Sequence, residues 1–125
     1  MRTQTVVSTG ASARTGQALQ VARTGYGAAL LLAPGPVIWL ATGRAATRRT
    51  RETARVLGAR HLVQAALTAA APEPRVFALG GQADALHAAS MVLLAVVSRR
   101  GRGPALADAL TEAAFAAMGF AASVR

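Results

Sequence analysis

The chain of 125 residues carries only five carboxylates and two histidines. Both histidines, His61 and His87, and three of the acids, Asp84, Asp108 and Glu112, fall inside long apolar segments. An ionisable group in such a segment is costly to bury alone, so it marks either a partner or a function. Arg60, His61 and Gln64 occur together, and His61, Gln64 and Thr68 share one face of a helix. Asp84, His87 and Met91 are spaced i, i+3, i+7, and Asp108 and Glu112 i, i+4, so each set again shares a face. With a rise of about 1.5 Å per residue, these groups reach comparable depths when their helices lie side by side. A buried polar cluster of Arg60, His61, Gln64, Asp84, His87, Asp108 and Glu112 is therefore expected. Within it Arg60 is the natural partner of Glu112, and Asp84 either orients His87 or meets a group from the first helix.

Three chemistries suit such a cluster. The charges can satisfy one another and fasten a helix bundle, the usual remedy for buried ions. Asp84, His87 and Glu112 are of the types used in proton- or ion-coupled transport. His61 and His87, on successive antiparallel helices, could serve as axial ligands of a b-type haem. Other chemistry is excluded or unsupported. There is no cysteine, so thiolate, disulfide and iron–sulfur sites are absent. Asp84, His87 and Ser90 follow one another along a single helix and cannot converge as a catalytic triad. The glycine pairs fit no phosphate-loop spacing, and no metal-ligand spacing occurs, so neither an enzyme nor a metal site is indicated.

Placing these groups takes helices. Apolar residues make up 53 % of the chain and charged residues 15 %, with 32 alanines. The reading is all-α: a small polytopic membrane bundle of four antiparallel transmembrane helices at about 18–42, 53–71, 76–98 and 104–124, in one domain spanning 18–125. Residues 1–17 are polar and read as a flexible tail. The stretch from Thr24 to Gly43 is free of charge and long enough to cross a bilayer, but Pro34-Gly35-Pro36 kinks or breaks it. Its alternative is a signal sequence, with Arg23 ahead of the apolar run and Ala41-Thr42-Gly43 behind it. Pro72-Glu73-Pro74 ends the second helix, and Pro104 opens the fourth.

All 14 basic residues are arginine, against five acids, a formal net charge of +9. Seven of them (Arg44, Arg48, Arg49, Arg51, Arg99, Arg100 and Arg102) fall in the first and third connections, which a four-span topology puts on one side. Arg2, Arg14, Arg75 and Arg125 fall on the other. The positive-inside rule makes the basic side cytoplasmic and both termini external, as in the plasma membrane of a prokaryote. Arg44, Arg48, Arg51 and Arg55 line one helical face, and with Arg99, Arg100 and Arg102 they suit anionic lipid head groups. Nucleic acid is disfavoured, because no aromatic residues are interleaved to stack on bases. Ala105, Ala109, Ala113, Ala117 and Ala121 recur at every fourth position, as do Gly81, Ala85 and Ala89. Such stripes let helix backbones approach in membranes. The function expected is assembly or an accessory role, as a homo-oligomer or a subunit of a larger membrane complex.

Overall fold

The computed structural model describes residues 3–124, and their side chains from residue 10 onward. Met1, Arg2 and Arg125 lie outside the described residues. The chain is all-helical, 88 % helix with no strands among the described residues. The helices are α1 (Thr3–Leu32), α2 (Pro34–Thr42), α3 (Arg48–Ala70), α4 (Pro74–Val97) and α5 (Arg102–Ser123).

The breaks follow from local chemistry. Pro34 and Pro36 lack an amide hydrogen, so the α-helical ladder stops at Leu32 and restarts in a new direction. The Gly10–Leu32 part of α1 and α2 meet at 108°. Gly43, at φ 67°, takes the left-handed conformation that ends α2, its N–H donating to the Trp39 carbonyl. Thr47 caps α3, its hydroxyl accepting from the Thr50 amide at 3.2 Å. That cap starts the helix at Arg48, ahead of the expected residue 53, so Arg48, Arg49 and Arg51 are helical, whereas Arg44, expected on the same helical face, precedes the helix. Pro74 occupies the first turn of α4, where a missing N–H costs nothing.

The expected flexible tail is corrected: the backbone is helical from Thr3 onward. No proline interrupts the sequence before Pro34, and a polar surface does not prevent a helix whose backbone bonds are internal. The first apolar segment, expected to be kinked or broken at Pro34-Gly35-Pro36, is broken there into α1 and α2.

Two helices, α4 and α5, are long and apolar enough to cross a membrane, and the bent pair of α1 and α2 passes the same test taken together. With its arginines α3 does not pass it.

The bundle is built from two close antiparallel pairs, α1 with α3 and α4 with α5, joined mainly along α1 and α5. The α3–α4 side is the loosest. Each pair is drawn together at glycines. A Cβ on Gly58 would lie 2.6 Å from the Gly27 carbonyl oxygen, and one on Gly119 would lie 3.1 Å from the Gly81 Cα. At the Gly58 crossing only hydrogen fits, and at Gly119 a methyl group would be tighter than an ordinary contact.

The buried positions follow a heptad-like spacing. On α3 they are Ala54, Gly58, His61, Ala65 and Thr68; on α4, Gly81, Asp84, Ala88 and Ala95. On α5, Ala105, Ala109, Glu112, Ala116 and Gly119 follow it, and on α1, Gly16, Leu19, Arg23, Gly27 and Leu30. A seam that stays against a neighbour repeats every 3.5 residues, whereas a strict i+4 row drifts off it. The alanine stripe on α5 is therefore only partly a packing face: Ala105 and Ala109 are buried, while Ala113, Ala117 and Ala121 are exposed.

Candidate functional site

Each of the four long helices puts one charged or titratable residue at the middle of its seam. These are Arg23, His61, Asp84 and Glu112, and all four are buried. His61, Glu112 and Asp84 are the largest fully buried side chains among the described residues.

Two polar contacts cross the bundle between helices that are not side-by-side neighbours. From α1, Arg23 Nη2 donates to Asp84 Oδ2 on α4. From α3, His61 Nε2 lies 2.8 Å from Glu112 Oε1 on α5. Arg60 stitches the two together, its Nη2 donating to Asp84 Oδ1 at 2.6 Å and to Glu112 Oε2 at 3.1 Å. Gln64 Nε2 adds a donor to Asp84 Oδ1 at 3.2 Å. Two arginines thus face two carboxylates, and the core is charge-balanced when His61 is neutral. The Arg23 guanidinium also sits 5.4 Å from the centre of the Phe115 ring, where the ring face attracts a cation. The His61 ring is held by Tyr26 at 5.3 Å and Phe115 at 5.0 Å between ring centres.

A second pair lies beside this core. His87 Nε2 is 2.8 Å from Asp108 Oδ2, with side chains 28 % and 19 % exposed. His87, Asp108 and Glu112 each bring one ligating atom within 4.8 Å of the others. This resembles a metal-ligand set, yet the Glu112 carboxylate already faces the Arg60 guanidinium and His61. A fixed guanidinium 3.1 Å from a ligand oxygen opposes a divalent cation.

All seven residues of the expected polar cluster come together. Arg60 takes Glu112 as expected, and of the two partners weighed for Asp84 the structure places the one from the first helix. His87 turns to Asp108 instead. Each histidine has a carboxylate beside it: His61 Nε2 lies 2.8 Å from Glu112 Oε1 and His87 Nε2 2.8 Å from Asp108 Oδ2. Arg23 was missing from the expected cluster, since its position ahead of an apolar run reads as a flank. The signal that identifies it is its register, midway between Gly16 and Leu30 on a buried seam.

The arginines assigned to lipid head groups, Arg44, Arg48, Arg51, Arg55, Arg99, Arg100 and Arg102, are all exposed. Arg48 also pairs with Glu52 at 2.9 Å, and Arg102 Nε donates to the Ala95 carbonyl at 2.9 Å, tying the turn between α4 and α5. No family model, no curated protein and no solved structure matches the chain.

Proposed function

We propose that this is a four-span membrane protein with an assembly or accessory role, associating with a second copy or another membrane subunit around the edge of its intramembrane charge network. The observation that carries the reading is that the network reaches the surface of the bundle. Arg60, His87 and Asp108, all well inside their helices, are 28, 28 and 19 % exposed. Around them the surface is hydrocarbon, with Val63, Leu86 and Leu110 outward at 58, 71 and 74 %. A charged side chain near the centre of a bilayer costs about 2.5–3.5 kcal/mol against lipid, and a polar contact from a neighbouring helix removes that cost. In this reading α3 crosses with the others because its inward charges are paired, and the arginine-rich turns face the cytoplasm.

Native mass spectrometry of the chain released from lipid nanodiscs tests it. A defined oligomer or a stoichiometric membrane partner is expected. Ala83→Trp, one turn from His87 on an exposed face, is expected to shift the population toward monomer. A wild-type chain that stays monomeric and partner-free overturns the reading.

A further inference from the structure

At the end of the bundle opposite the arginine-rich turns a cavity of about 560 Å³ opens between α1, the α3–α4 connection and the end of α5. Its walls are largely apolar, with Phe77 and Ala122 among them. Its innermost residues are polar: Gln20, one turn from Arg23, and Thr68, one turn from Gln64. The Thr68 hydroxyl donates to the Gln64 backbone carbonyl at 2.7 Å, and separately the Gln64 side-chain amide donates to Asp84. Gln20 Nε2 donates to the Ala65 carbonyl. One helical turn, about 5 Å, therefore separates the cavity from the Arg23–Asp84 pair.

Three side-chain atoms in this short column are buried without a hydrogen-bond partner among the described residues: Gln20 Oε1, Gln64 Oε1 and Arg23 Nε. Two are acceptors and one is a donor. Buried polar atoms are almost always satisfied, and water, which both donates and accepts, matches this set. A lipid chain would satisfy none of the three.

We infer that the cavity is a water-filled vestibule that brings solvent, and with it protons and small hydrophilic solutes, to the Arg23–Asp84 pair from the face opposite the arginine turns. The inference rests on the membrane placement proposed above and is independent of association. It gives the charge network aqueous access from one side.

The chain has no cysteine, so single cysteines report without background. Thr68→Cys and Ala69→Cys sit on the cavity wall, Arg100→Cys marks the arginine side, and Leu86→Cys and Leu110→Cys mark the lipid-facing surface. Each is reconstituted in sealed vesicles and treated from one side at a time with a charged, membrane-impermeant methanethiosulfonate. Thr68→Cys and Ala69→Cys are expected to react from the side opposite Arg100→Cys, at least 100-fold faster than the two lipid-facing cysteines. Ala69→Cys, a small replacement at an exposed position, keeps the test valid if Thr68→Cys fails to fold. Cavity cysteines as slow as Leu86→Cys make the cavity lipid-filled and overturn the inference, as does reaction from the Arg100→Cys side. Lipid-facing cysteines as fast as Arg100→Cys overturn the membrane placement itself, an outcome distinct from the other two.

Discussion

Asp84 accepts hydrogen bonds from Arg23, Arg60 and Gln64 with a side chain that has no exposed surface. Neutralising it takes from Arg23 its carboxylate partner and leaves Glu112 as the one carboxylate for the two guanidiniums. Breaking one side of a buried pair typically costs about 3–5 kcal/mol. Asp84→Asn is thus expected to lower the thermal unfolding midpoint in detergent strongly. Adding Arg23→Gln is expected to recover part of the loss, because the remaining charges then balance; a double variant as unstable as the sum of the singles contradicts that coupling. The polar residues of α3, α4 and α5 were legible in the sequence, since each interrupts an otherwise apolar run. Arg23 was not, because a charge beside such a run looks the same whether it faces water or a buried carboxylate. Only the three-dimensional neighbour distinguishes the two.

The elements are held by glycine crossings more than by large side chains. At Gly58 a methyl group would strike the Gly27 carbonyl at 2.6 Å and the Leu31 amide at 2.9 Å, both backbone. Gly58→Ala must push α1 away from α3, and overpacking of this kind costs about 1–3 kcal/mol. At Gly25 nothing lies within 4 Å of an added Cβ. Gly25→Ala is therefore expected to be neutral or to stabilise by up to about 1 kcal/mol through helix propensity. Equal destabilisation of both variants in chemical denaturation would contradict the crossing. Helix type and the prolines that punctuate it were readable from the chain, and the break at Pro34 was anticipated. The extent of α1 and the true seam were not. Polar composition hid the first, and the abundance of alanine allowed an i+4 row to imitate the second.

As a whole the molecule keeps ionisable groups at the centre of an otherwise apolar core and leaves many large apolar side chains on its surface. Its largest fully buried side chains are ionisable, while leucines and valines such as Leu79, Leu93, Val96 and Val97 are exposed. Composition alone foretold an apolar chain, and the structure adds where the minority of polar groups goes. The direction of α2 has a further consequence. It runs at 108° to α1, with Trp39 and Leu40 exposed at 58 and 77 %, so where α1 crosses a bilayer as proposed, α2 would lie along its surface. The bend lies about 14 Å from Arg23 by helical rise. A helix that can only tilt accommodates a thinner bilayer by leaning, but a crosswise arm resists leaning and sinking alike. On the proposed membrane placement the molecule would thereby be matched to one hydrophobic thickness. Its thermal stability is expected to peak in lipids of intermediate acyl length and to fall in short-chain bilayers, which would pull the charge network toward the head groups. Pro34→Ala with Pro36→Ala, which lets α1 run on straight, is expected to flatten that dependence; a thickness profile unchanged by the double replacement argues against the anchoring role of α2.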